Sequence, residues 1–338
     1  MPGNTIGEIF CLTTFGESHS QACGGIIDGC PAGLSVDFNY IQQELERRKP
    51  VYIGSTERKE PDVAEFLSGL RNGRTLGSPI AFLIRNVDIK TSDYQDINSS
   101  FRPSHADFTY FRKYGVMPAG GGRASGRETA ARVVGGAIAK LFLKTSGIVL
   151  HAHVSQIGDT ITNEEHDDRF TALIEESAKN GDTLGGTVTC RIENVPAGLG
   201  EPVFDKLQAD LAKAMLGIGS AKAFEYGFGF RAASMKGSEY NDQMTGKDGK
   251  VVFLSNHDGG IQGGISNGEE IFFRVGFKPV PSIKSKQSTV NIQGESTEIM
   301  VTGRHDSCHV PRLVVVVESM AALVIADHLL RYQKSRLA

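Results

Sequence analysis

Residues 126–145 read GRETAARVVGGAIAKLFLKT, and this stretch decides the fold class. Ala130, Val133, Val134, Ala137, Ile138 and Leu141 recur at helical spacing, so the segment reads as a helix with a long apolar face. N-terminal to it the chain is strand-like over 6–14 and 24–30, and again at Ile80–Ile84. A helix is expected over 37–48, with Asp37 as its N-cap and Pro50 as its stop. C-terminal to it come a strand over 147–157, a helix over 164–180, a strand over 185–194 and a helix over 202–216. Strands and glycine turns then alternate over 224–302, and 313–332 reads as a strand running into a final helix. Each half therefore carries strands, a helix and more strands, which suggests an internal pseudo-repeat. The order is not a regular βαβ alternation, so a doubly wound sheet is disfavoured and the class is α+β. No linker stands out by composition, and residues 1–338 are read as one domain.

Composition narrows the class of function. Hydrophobic residues make up 40% and charged residues 22%, ordinary for a globular chain. The formal charge of −3 argues against nucleic-acid binding, where a basic footprint is expected. An anion site must then come from local clustering of arginines. Cys11, Cys23, Cys30, Cys190 and Cys308 are odd in number and scattered, which suits a reducing, cytoplasmic setting better than a disulfide framework. The N-terminus has no signal-peptide pattern, and the longest apolar run considered, Leu313–Val317, is too short for a membrane span.

Five segments interrupt the apolar pattern. Gly120-Gly121-Gly122-Arg123-Ala124-Ser125-Gly126-Arg127 leads into the central helix; glycines admit close backbone approach, and a helix start with arginines attracts phosphate. It is neither a nucleotide P-loop nor a dinucleotide fingerprint. Phe101-Arg102-Pro103-Ser104-His105 sets an anion-binding arginine beside a proton carrier. The polar stretch 86–104 that holds its beginning reads as a long loop. Gly16-Glu17-Ser18-His19-Ser20 supplies a second acid or base between strands. Gly303-Arg304-His305-Asp306-Ser307-Cys308-His309 is dense in ligand-type residues, but its spacing fits no zinc pattern, and an anion site suits it better than a metal. Lys278-Pro279-Val280-Pro281-Ser282 is a rigid connection carrying a lysine. Gathered by the fold, Arg48, Arg102, Arg123, Arg304 and the loop histidines would make a cationic pocket for a substrate with phosphate and carboxylate groups.

In this order the segments resemble the chorismate synthase family over nearly the whole chain. Gly263-Gly264-Ile265-Ser266-Asn267-Gly268 and Lys278–Ser282 add to the match. The resemblance implies a β-α-β sandwich, with antiparallel sheets packed on central helices. It implies an anti 1,4-elimination that converts 5-enolpyruvylshikimate 3-phosphate to chorismate with reduced FMN and no net redox change. It also implies a homotetramer. By the same resemblance His19 donates a proton to the leaving phosphate, His105 protonates or polarises the flavin, and Asp306 helps remove the proton. Arg48, Arg102 and Arg304 bind anions. Flavin contacts fall at Arg123, Ala124, Ser125, Gly219, Ser220, Gly263, Lys278, Pro279, Val280, Pro281, Ser282 and Arg304. Some members reduce their flavin with NADPH; with no separate nucleotide motif here, an external reductant is expected. Ser20 and Ser104 stand where the family usually has glycine, and Val51-Tyr52-Ile53-Gly54 departs from the family loop after Arg48. Two other classes stay open at this point: a flavin redox protein on the same scaffold, and a non-catalytic binder of phosphorylated ligands. His19, His105 and Asp306 weigh against the binder, which needs no proton carriers.

Overall fold

In the computed structural model, residues 3–49, 60–88, 100–164, 167–301 and 305–335 are described. The helices are α1 (Phe38–Arg47), α2 (Asp107–Tyr114), α3 (Thr129–Lys144), α4 (Asp168–Lys179), α5 (Leu207–Leu216), α6 (Gly237–Tyr240) and α7 (Val310–Tyr332). Among the described residues the strands form two five-stranded antiparallel sheets and four two-stranded hairpins. The N-terminal sheet runs Thr5–Ile6, Cys11–Phe15, Ala22–Asp28, Ile80–Arg85, Ala64–Phe66 in spatial order. The C-terminal sheet runs Ala221–Tyr226, Ile271–Phe277, Gly186–Glu193, Val149–Ile157, Thr160–Ile161.

Alternation sets the inner face of each sheet. Ile80, Phe82 and Ile84 are fully buried in one, and Val188, Cys190, Ile192, Ile271, Phe273 and Val275 in the other. Between the sheets lie α1, α3, α5 and α7. α3 packs on the N-terminal sheet, α7 packs on the C-terminal sheet, and the two helices pack on each other, with α1 and α5 beside them. This is the α+β sandwich, and each sheet contributes one long apolar helix to the middle layer, which is the form the pseudo-repeat takes.

The expected elements shift in places for physical reasons. Asp37 caps α1, its carboxylate accepting from the Tyr40 N–H at 3.1 Å. The strand expected over 6–14 is broken, because the amides of Glu8, Ile9 and Phe10 turn away to the Asp327 carboxylate of α7. The run read as a strand from Leu313 is helical from Val310 onward, with proline in its first turn. Helix propensity costs a valine at most ~0.7 kcal/mol, whereas burying its side chain is worth roughly 1.5–3 kcal/mol. In α7 burial wins: Val315, Val316 and Val317 are almost wholly covered. By length and composition α7 is apolar enough to cross a membrane, contrary to the sequence reading, but 94% of its apolar window is buried inside the protein. α2 was not foreseen. Of the long loop over 86–104, residues 89–99 lie outside the described residues, as does the Val51–Gly54 departure.

The middle layer also holds charges. Glu318 of α7 accepts from both Nη atoms of Arg47 (2.7 and 2.8 Å), from Lys140 Nζ (2.5 Å) and from the Ala152 N–H (3.0 Å). Lys140 also bonds Glu44. Burial alone would raise the Glu318 carboxyl, but Arg47 and Lys140 hold it below the ordinary range.

Candidate active site

Five chain segments end around one cleft of about 630 Å³. They are the loop leading into α2, the glycine-rich segment before α3, the turn after α5, the connection 278–282, and the approach to α7; Arg48 joins them from the end of α1. The glycine-rich segment takes a path that only glycine follows readily. Gly120, Gly121 and Gly122 have φ of 62°, 82° and 53° in succession. Gly120 has a second reason to lack a side chain: a Cβ there would stand 2.1 Å from the His19 ring.

Seven cationic side chains line the cleft: Arg48, Arg102, Arg123, Arg132, Lys222, Lys278 and Arg312. Three carboxylates oppose them, Asp107, Glu128 and Asp306. The arginines are held from within. Arg102 forks onto Asp107 through Nε and Nη2, both at 2.8 Å. Arg132 Nε donates to Glu128 at 2.9 Å, and Arg312 Nη1 to Asp306 at 2.5 Å. Arg123 donates to the Gly16 carbonyl (2.9 Å) and Thr14 Oγ1 (2.6 Å), tying the glycine-rich segment to the first sheet. Arg48 Nη2 donates to Asp62 at 2.5 Å, while its Nε is buried without a hydrogen bond among the described residues. Asp62 also bonds Arg127. Burial works to raise the Asp62 carboxyl, and the two guanidiniums prevail and lower it.

His105 is fixed at both ring nitrogens. Nδ1 lies 3.1 Å from the Pro103 carbonyl, which can only accept, so Nδ1 carries the proton. Nε2 then accepts from the Ser282 hydroxyl at 3.1 Å. Burial, and after it the charge of Arg102, push the ring down to about 4. It is therefore a neutral imidazole near pH 7, suited to polarising a partner or accepting a proton. Lys278 Nζ donates to the Ser104 carbonyl at 2.6 Å, and burial lowers its pKa.

Of the residues expected from sequence, the cleft brings together Arg48, Arg102, His105, Arg123, Ala124, Ser125, Gly219, Ser220, Lys278, Val280, Pro281, Ser282 and Asp306. His19 does not line it but lies directly behind Gly120. Pro279 and Gly263 are not among the lining residues; Gly263 sits in the hairpin between Ile261–Gln262 and Ile265–Ser266. Arg304 lies outside the described residues. Arg127, read as an anion ligand, is instead buried on Asp62 and Asn86. Sequence reasoning missed Arg132, Lys222 and Arg312, and gave His309 no role beyond its place in the 303–309 segment. Arg132 carried a signal, standing four residues after Glu128 on the face that meets the cleft.

Comparison with known proteins follows the same outline. The family model described as chorismate synthase matches residues 10–330. A protein named chorismate synthase from Christiangramia forsetii is 50% identical, covering 100% of both chains. One of the same name from Porphyromonas gingivalis is 51% identical, covering 99% of this chain and 98% of its own. A solved structure titled as a crystal structure of chorismate synthase superimposes with a TM-score of 0.76 at 31% identity, over 96% of this chain and 93% of that one.

Proposed function

Because the chain belongs to the chorismate synthase family, we propose that this cleft binds 5-enolpyruvylshikimate 3-phosphate and eliminates its phosphate to give chorismate, beside a reduced flavin mononucleotide. The protein is thus a lyase of the shikimate pathway. One observation carries the reading of the site: a chain of net charge −3 concentrates seven cationic side chains around one cleft. Such a field draws in a substrate bearing a phosphate and carboxylates.

The residues present also fit a flavin. A Cβ at Gly219 would meet nothing within 4 Å, so the wall leaves room there. Arg123, Ala124, Ser125, Gly219, Ser220, Lys278, Val280, Pro281 and Ser282 would hold the flavin; Pro279, Gly263 and Arg304 are carried over from the family resemblance alone. When bound, reduced flavin supplies electron density that eases departure of the phosphate.

The chain's own groups bind, orient and move protons. Arg48 and Arg102 hold the substrate's anionic groups. Asp107 occupies Nε and Nη2 of Arg102 and leaves Nη1 for the ligand. His19, against the glycine-rich segment, is assigned proton donation to the leaving phosphate. His105 acts through Nε2, and Asp306, oriented by Arg312, assists removal of the ring proton. Reduced flavin is taken from an external source. The assembly is read as a homotetramer and the location as cytoplasmic, in keeping with five free thiols.

The test is anaerobic phosphate release from 5-enolpyruvylshikimate 3-phosphate, with FMN oxidised or chemically reduced. Release only with reduced flavin is expected. Release with oxidised flavin, or none in either state, would refute the assignment.

A further inference from the structure

The turn Ile218–Ala221 in the cleft wall holds a conformation its residues do not favour. The Ala221 N–H donates to the Ile218 carbonyl at 3.2 Å, closing a four-residue turn. Ser220 is its third residue, with φ of 70°, a value that a type II turn requires and glycine usually supplies. An L-residue persists there when its surroundings fix it.

The fixing group is His309. Its Nε2 lies 2.5 Å from Ser220 Oγ, and the same oxygen contacts the Gly219 carbonyl. That carbonyl only accepts, so the hydroxyl hydrogen goes either to it or to the imidazole. In the second case the ring proton would sit on Nδ1, which is buried and has no hydrogen-bond partner among the described residues. A buried orphan N–H is a rarer defect than an orphan acceptor. The proton therefore sits on Nε2, and the bonds run one way, from imidazole N–H to hydroxyl to carbonyl. Burial keeps the ring neutral, its pKa pushed down to about 4. Phe277 packs its ring edge-on against it, at 6.4 Å between centroids. The Ser220 carbonyl in turn accepts from the Lys278 N–H at 3.1 Å, joining the turn to the 278–282 wall. Among the described residues, none bonds the N–H groups of Gly219 and Ser220. Successive turn amides of this kind form a concavity for an electronegative oxygen.

We propose that His309 is a positioning residue that locks the Gly219–Ser220 turn so that its two amides meet an oxygen of the flavin. This rests on the flavin reading above. The experiment is titration of oxidised FMN, followed by quenching of its fluorescence, so that no turnover is needed. The unaltered protein comes first: if it binds no FMN, the flavin reading fails and this inference with it. If it binds, His309→Phe, which keeps a ring against Phe277 but loses the donor, should weaken binding roughly tenfold, the size of one buried hydrogen bond. His309→Gln, which retains a donor, should recover most of the loss. Adding Ser220→Gly to His309→Phe should recover it too, because glycine needs no lock. A histidine that only stabilises the fold would lower the melting temperature of His309→Phe and leave FMN affinity within about twofold, and that result overturns the proposal. Should His309→Phe not fold, Ser220→Ala breaks the same bonds from the other side, and unchanged affinity there is equally decisive.

Discussion

The two hydrogen bonds of His105 settle what that residue can do. With Nδ1–H committed to Pro103 and the ring neutral, its chemistry passes through Nε2. His105→Ala should lower turnover by about 10²–10⁴-fold, the usual weight of a general acid–base group. Phosphate release with chemically reduced flavin measures it, and unchanged turnover would remove His105 from the mechanism. The same depression has a consequence for stability. His105 and His309 titrate near 4 when folded, against an ordinary value of about 6.5 when unfolded. Between these values the unfolded chain binds more protons, so stability should fall as pH drops from about 6.5 to about 4, then stop falling on their account. The lowered carboxyls of Asp62 and Glu318 act in a separate window, below about 4. Urea midpoints at pH 7.5 and 5 test this, and a flat profile between them would refute it. Single residues were the most legible part of the sequence. Charged groups in loops between apolar elements pointed to Arg48, Arg102 and His105. Of the two serines in place of family glycines, Ser20 has a structural reason, and Ser104 has none. Ser20 Oγ accepts from the Glu17 N–H and donates within its own turn, while Ser104 takes φ of 57°, the region glycine prefers. Asp62 was illegible as the partner of Arg127, because 65 residues separate them.

Among the elements, α3 and α7 matter most, and their contact was hidden from the sequence. The apolar period of α3 was plain, but nothing local says that its Gly136 meets Ser319. A Cβ at Gly136 would lie 2.2 Å from Ser319 Cβ and 2.4 Å from its Cα. Gly136→Ala gains roughly 1 kcal/mol of helix propensity. It must also force apart two backbones, and overpacking typically costs about 1–3 kcal/mol or more. Both contacts are to stiff atoms, so the clash should prevail and chemical denaturation should show a net loss; a more stable variant would refute the close packing. The ionic layer gives the sharper case. Lys140 stands between Glu44 and Glu318, and Lys140→Met would leave two buried carboxylates with Arg47 as their remaining cation. Breaking a buried pair from one side costs roughly 3–5 kcal/mol. A urea midpoint equal to that of the unaltered protein would show that the layer is not closed to water. α7 itself misled the sequence reading because its valine run favours strands locally and only its all-round burial favours a helix.

For the molecule as a whole, the question is whether two sheets make one folding unit. α7 touches α3, strand Cys11–Phe15 of the first sheet and strands Val149–Ile157 and Gly186–Glu193 of the second. Its Asp327 holds the amides of residues 8–10, and its Glu318 holds Arg47 and Ala152. If this helix leaves, the second sheet loses the cover of its inner face and α3, which covers the first, loses its packing partner, so we propose that residues 1–338 unfold together. The cleft draws on both halves as well, with Arg102 and Arg123 from one side and Lys278 and Arg312 from the other. A ligand there bridges the halves and should raise the stability of the whole chain. At 100 times its dissociation constant, a ligand that binds only the folded state adds about 2.7 kcal/mol. Far-ultraviolet circular dichroism reports the helices, and near-ultraviolet signals report packing of the aromatic residues. Both should give one coincident thermal transition, and FMN with 5-enolpyruvylshikimate 3-phosphate should move the entire transition upward. Two transitions, with only one moved by ligand, would mean that the halves fold separately and that the cleft belongs to one of them. In that case the interlocking of α7 with both sheets would be a contact between finished units rather than the core on which each depends.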